Sequence, residues 1–193
     1  VQVDGGKDVS VTDGAFDNDI TVGANTDVAG TITVTDSNQA GSNITIDSGT
    51  DVTVTATDDA ATGTIAVGGT TQATGAVSVT QNLNSDGAAL SNTANGISVT
   101  GGTTVDVTVN GTNTADAAAD AGALAMSPVS VTGDGNTTAV TVTQNADNTI
   151  FTSEEVAEVK EQTVITFKAM SAGETLTLTS GNSLTFTAAK NLT

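Results

Sequence analysis

Nearly all the side chains in this sequence that could do chemistry are carboxylates: 22 Asp and Glu stand against four Lys and Arg, with no His and no Cys. That inventory removes the commonest general base, the thiol nucleophile and the usual zinc ligands. A carboxylate pair can still act on a glycosidic bond, and Asp58-Asp59 or Asp17 and Asp19 are the candidates. Such a pair needs a cleft that holds a sugar, and at 2% aromatics there is little to line one. The Gly-rich turns carry no GKS or GKT, so phosphate cradling has no support. The expected reading is not an enzyme.

Divalent cation binding suits the same residues better. Ca²⁺ takes about six to eight oxygens from carboxylates, amide and backbone carbonyls and water, and Asp/Asn/Gly turns supply these within a small radius. The densest cluster is Asp13-Gly-Ala-Phe-Asp17-Asn-Asp19, followed by Asp4 with Asp8, Asp47 with Asp51, and Asp58-Asp59. If equivalent turns stack, their carboxylates lie about 4.8 Å apart, and like charges that close call for a counter-ion. The competing reading makes each Asp a solvated turn former that satisfies nearby backbone. The third equivalent turn, Thr100-Gly-Gly-Thr-Thr104, has no carboxylate.

Two alternating units position these turns. The tighter one appears at Val1 to Asp13 (VQVDGGKDVSVTD), Ile44 to Ala56 and Ile97 to Val109, with its two strands offset by eight residues around a Gly-containing turn. The looser one appears at Ile20 to Asp36, Ile65 to Asn82 and Val129 to Asn145, with offsets of eleven or twelve. In every strand Val or Ile alternates with Thr, Ser or Asp, the period-two pattern of a half-buried strand. Eight plus twelve makes a rung of about twenty residues, near one coil of a parallel β-helix or β-roll. The alternative is a set of plain hairpins, since a Gly turn of this length can close one. In the solenoid reading Val140 belongs to the inward ladder, and Val140→Asp disrupts stacking whereas Asp134→Ala does not.

Composition agrees with a thin core. Large aromatics are nearly absent, and Val, Ile, Ala and Thr carry the apolar and β-forming load. A net charge of -18 excludes nucleic acid and anionic membrane as partners by repulsion. No apolar run is long enough to span a bilayer, so direct membrane insertion is not expected. The absence of Cys fits an extracellular protein. Because the repeat pattern is in progress at Val1 and carries no stop at Thr193, the chain reads as a segment of a longer one, with neighbouring domains as contacts.

Past Asn145 the grammar changes, so a boundary is expected near Asn148, with repeats at 1–147 and a small β-rich module with one short helix at 148–193. Thr152-Ser-Glu-Glu155 is a capping-box pattern opening a helix over Thr152 to Glu161. Strands follow at Val164 to Phe167, Leu176 to Leu178 and Leu184 to Phe186. Three of the four Phe lie here, enough for a small core of its own. Between the repeats, Gln81 to Gly96 and Gly111 to Pro128 read as Ala- and Asp-rich links and as the places where a binding site could be built.

The segments VQVDGGKDVSVTD, ATGTIAVGG, GAVSVTQ, ISVTGGTTVDVTV and VTGDGNTTAVTVTQ resemble the Thr/Ala/Gly-rich region of the Caulobacter-type surface-layer protein, of the RTX class, over roughly Val1 to Asn145. The tail AEVKEQTVITFKAMSAGETLTLTSGNSLTFTA is similar to a module of large secreted RTX-like and adhesin-like surface proteins. The resemblance implies a parallel β-solenoid, type I secretion and calcium-dependent assembly into a lattice on the bacterial surface. No RTX nonapeptide is present, so the family's calcium residues do not transfer. The expectation is an all-β structural building block of an extracellular lattice or filament, self-associating and stabilised by Ca²⁺. The alternative is the stalk or binding module of an adhesin, with a cell-surface polysaccharide as a possible partner.

Overall fold

The computed structural model describes residues 1–14, 18–39, 41–59, 63–85, 90–91, 96–115, 124–150, 175–180 and 182–187. They form strands and turns only. The helix expected over Thr152 to Glu161 and the strand expected over Val164 to Phe167 lie outside the described residues. The chain divides into two compact units, Val1–Glu154 and Glu155–Thr193, against an expected boundary near Asn148.

In the first unit the chain alternates between two parallel six-stranded sheets. One holds β1 (Gln2–Val3), β3 (Ile20–Val22), β5 (Ile44–Ile46), β7 (Ile65–Val67), β10 (Ile97–Thr100) and β13 (Val129–Thr132), neighbours in that order. The other holds β2 (Val9–Asp13), β4 (Ile32–Asp36), β6 (Val52–Asp59), β8 (Ala76–Ser85), β11 (Thr104–Ala115) and β14 (Ala139–Ile150). Each strand therefore stacks on the strand two elements earlier, apart from the short β9 (Leu90–Ser91) and β12 (Leu124–Ala125).

The ladder is kept in register by apolar residues. Ile20, Ile44, Ile65, Ile97 and Val129 pair in sequence across the first sheet. Val11, Val34, Val54, Val79, Val107 and Val142 do so across the second. A slip of one residue would turn these rows outward and the Thr rows inward, so burial specifies the pairing. Ile44, Ile46, Val34 and Val107 are fully buried, and removal of such surface from water is worth about 25 cal/mol per Å². On the outside of the second sheet, Thr12, Thr35, Thr55, Thr80, Thr108 and Thr143 make one in-register row. They combine β-propensity with a wet face.

Several expectations change. The two strands of the tight unit lie in different sheets and do not pair, so the hairpin alternative is not what these residues form. Each unit, tight or loose, is one whole circuit through both sheets, so an eight and a twelve belong to successive circuits and do not add up to one rung. The circuit closes through a return segment: Ile44 pairs with Ile65, and Ile97 with Val129. Parallel neighbours require such a crossover, because a tight turn can only join antiparallel strands. The links are also partly sheet. β8 runs to Ser85 and β11 to Ala115, and β9 pairs in parallel with β12.

The turn of the tight unit bears out its glycine signal. Gly6, Gly49 and Gly102 occupy equivalent places and all have positive φ. One position earlier Gly5 and Gly101 do the same, while the second copy uses Ser48 at φ 71, its hydroxyl accepting the Val28 N–H at 2.7 Å. In the second unit, β15 (Thr175–Ser180) and β16 (Asn182–Thr187) pair antiparallel, on the strands expected around Leu176 to Leu178 and Leu184 to Phe186.

Candidate functional site

The turn carboxylates Asp4, Asp8, Asp47 and Asp51 have a specific task in the stack. Tight and loose circuits alternate, so Asp4 and Asp47 are separated by a loose circuit, as are Asp8 and Asp51. In each case the loose circuit that follows meets the carboxylate with N–H groups. Asp4 accepts from the Asn25 backbone N–H at 2.9 Å and its Nδ2 at 3.0 Å. Its repeat equivalent Asp47 accepts from the N–H of Thr70 at 2.6 Å and of Thr71 at 3.3 Å. Asp8 accepts from the Thr31 N–H at 2.9 Å and hydroxyl at 3.1 Å, and Asp51 from the Ala76 N–H at 2.7 Å. Asp19, in the return segment, takes the Asn43 N–H at 2.7 Å, and Asn43 Oδ1 in turn takes the Thr64 N–H at 3.2 Å. The carboxylates thus satisfy turn amides that no sheet ladder reaches.

Room for these bonds is made by glycine. A Cβ on Gly30 would lie 2.3 Å from Asp8 Oδ1, and one on Gly75 would lie 2.3 Å from Asp51 Oδ1. Where the third tight turn lacks carboxylates, the circuit after it supplies donors to backbone oxygens instead. The Thr137 hydroxyl reaches Gly102 O at 2.7 Å, and the Thr138 N–H and hydroxyl reach Thr103 O at 2.8 and 2.9 Å. Its missing acids are therefore no gap in the bonding.

Charge-assisted bonds move two of these groups. Asn25, through its side chain and then its backbone N–H, holds the Asp4 carboxyl below its ordinary value. The Thr31 N–H, followed by its hydroxyl, does the same for Asp8. Asp36, which composition and spacing did not single out, moves the other way. It sits at the inward end of β4, 1% exposed, and burial pushes its carboxyl up, with the charge of Asp13 adding to the effect. Asn38 N–H at 3.0 Å and the Ser42 hydroxyl at 3.4 Å partly offset the burial.

The remaining candidates divide. Asp13 is buried and in register with Asp36. Asp17 lies outside the described residues. Asp58 and Asp59 fall within β6, aligned with Leu83 and Asn84, and their side chains are not described. Among the described residues no three His, Cys, Asp or Glu side chains converge as a metal-holding group. Asp4, Asp8, Asp19, Asp47 and Asp51 each accept N–H donors of the neighbouring circuit.

A polar spine runs beside the core and was only half legible. Gln81, 1% exposed, donates to Gln39 Oε1 at 3.1 Å and accepts the Ser127 hydroxyl at 2.7 Å. Gln144 Nε2 donates to Ser127 O at 2.8 Å. Next to it Asn145 donates to Asn110 and Asn110 to Asn82, each at 2.9 Å. The repeated Thr-Gln-Asn ending of two loose units is the signal for both rows. On the outer face of the first sheet, Thr64, Ala66, Gly96, Ser98, Pro128 and Ser130 edge a shallow groove of about 470 Å³ with no charged or aromatic lining residue. No protein-family model, curated protein or solved structure matches the chain.

Proposed function

We propose that residues 1–150 form a parallel β-solenoid that serves as a structural building block of a secreted bacterial cell-surface assembly, a lattice or an extracellular filament, and not as a catalyst. The observation that carries this reading is the continuity of cross-circuit bonding: in-register Val/Ile rows inside, and carboxylate, Asn and Gln bonds joining successive circuits at the corners. Nearly every recognisable device in the first unit holds one circuit to the next. A stack of this kind is a stiff rod with an acidic surface, and its strands are hidden from proteases. A cell-surface location is supported by the net charge of -18, the absence of Cys and the resemblance to surface-layer proteins.

Calcium is retained in this reading as a stabiliser, with the carboxylates Asp4, Asp8, Asp13, Asp17, Asp19, Asp47, Asp51, Asp58 and Asp59 as the oxygens offered to it. Negative-stain electron microscopy with and without Ca²⁺ is the test. Ordered arrays or fibres, improved by Ca²⁺, are the expected result. Monomers that persist at every concentration and ionic condition would replace this reading with that of an adhesin stalk.

A further inference from the structure

The outer face of the second sheet carries a regular array that neither the core nor the corners use. Ser10, Thr33, Thr53, Ser78, Asp106 and Thr141 pair in register as one outward row, two residues along each strand from the Thr row that runs from Thr12 to Thr143. Every strand but β11 therefore presents Ser or Thr, then an inward Val, then Thr. On the inner strands β4, β6 and β8, Thr33, Thr53 and Ser78 are exposed and Thr35, Thr55 and Thr80 half-buried, so the array does not depend on either end of the stack. Among the described residues, none of the hydroxyls in the two rows bonds another protein group. Although the chain has a net charge of -18, Asp106 is the one charged member of either row.

Spacing gives the array its chemistry. Neighbouring strands lie about 4.8 Å apart and two residues of a parallel strand span about 6.6 Å, so the hydroxyls repeat on a rectangle near that of the oxygen atoms on a prism face of ice. The branched Cβ of Thr restricts χ1, which lets successive circuits repeat one geometry. Sheets of many strands stay flat where side-chain ladders hold them, and the ladder Asn82, Asn110, Asn145 borders the rows. Each Thr offers a hydroxyl that can both donate and accept. We infer that the outer face of the second sheet binds ice, with Thr33 and Thr35, Thr53 and Thr55, and Ser78 and Thr80 at the centre of the contact. The ligand is uncharged, as is this stretch of the face. No aromatic side chain stands in either row to stack on a sugar ring, which sets ice ahead of a polysaccharide. The inference goes beyond the building-block reading and holds for a lattice, a filament or a single chain alike.

The test uses the full 193-residue chain, slowly frozen as a hemisphere of ice grown into its solution, with albumin as the excluded control. The chain is expected to concentrate in the ice, and a single crystal held in its solution to grow facets and to freeze below its melting point. Thr33→Lys/Thr53→Lys places two long charged side chains on the centre of the face. It is expected to bring partition into ice down to the albumin level and to leave the melting midpoint of the protein unchanged, as for exposed sites. Ser98→Lys, exposed on the outer face of the first sheet, is expected to keep partition and faceting at the parent level. Exclusion of the parent chain from ice would overturn the proposal whatever electron microscopy shows of arrays or fibres. Partition that survives Thr33→Lys/Thr53→Lys in a folded protein, or that is lost in Ser98→Lys, would place the contact elsewhere and overturn it too. Retention on microcrystalline cellulose or chitin together with exclusion from ice would assign the face to a polysaccharide instead.

Discussion

Asp8 and Asp36 show how one residue type takes opposite roles according to what surrounds it. An exposed carboxylate that meets an amide of the next circuit is held in its charged form. A buried one beside another acid is pushed toward its neutral form. The signs follow from linkage. Asp4 and Asp8 bind protons less tightly folded than unfolded, so their contribution is present above the unfolded value of roughly 3.9 and is lost as pH falls below it. Asp36 binds its proton more tightly when folded, so its ionisation opposes folding at neutral pH and that opposition fades as pH falls through its raised folded value. Asp36→Asn is therefore expected to raise the melting midpoint at pH 7 and to match the parent near pH 3. Asp8→Asn should lower it at pH 7 and converge in acid. Thermal melts of both variants from pH 3 to 8 check the pair, and an Asp36→Asn midpoint below the parent at pH 7 would contradict it.

Strands here differ in what a Val or Ile is worth, because pattern places a side chain on a face and only neighbours decide whether the face is covered. Ile46 on β5 is fully buried between β3 and β7, whereas Val142 on β14 has a strand on one side only and is 47% exposed. Ile46→Ala is expected to lower the unfolding free energy by about 2–5 kcal/mol, the range for truncating a buried Ile with partial collapse of the cavity. Val142→Ala should change it by less than about 0.5 kcal/mol, as for a surface site. The same contrast corrects the expectation for Val140: at 49% exposure Val140→Asp alters an open edge and does not break an inner layer. Denaturant titration of the two alanine variants separates these cases, and equal effects would mean that the edge is covered in solution.

For the first unit as a whole, stability is carried between neighbouring circuits. Each circuit contacts the one before and the one after, so opening is expected to start at the ends and to proceed by circuits. Native-state hydrogen exchange should rank the amides of β4, β6 and β8 as the most protected and those of β2 and β14 as the least at low concentration. Uniform protection from β2 to β14 would indicate a single all-or-none unit. Acidity acts at this scale too: a charge of -18 spread along a stack repels itself, and added salt should raise the midpoint without changing the order of opening.

Much of this architecture could be read from residues alone. Period-two alternation of Val/Ile with Thr placed the strands of the six circuits, and the glycine at a fixed place in the tight turn marked its left-handed backbone, because both are local requirements of pleat and sterics. The Thr-Gln-Asn endings marked a recurrence whose meaning stayed hidden. Pairing was not local. That tight and loose units are successive circuits, that Asp8 meets Thr31 and Asp51 meets Ala76, and that Gln81 is buried against Gln39 and Ser127 all depend on which segments the return crossovers bring side by side. An Asp in a turn has the same sequence signature whether it awaits a cation or an amide, and only the stacked neighbour determines which. The sequence by itself determined strands, faces and turns, since these follow from bonds within a few residues. The tertiary structure decided the partners, since these follow from contacts made across about twenty residues or more.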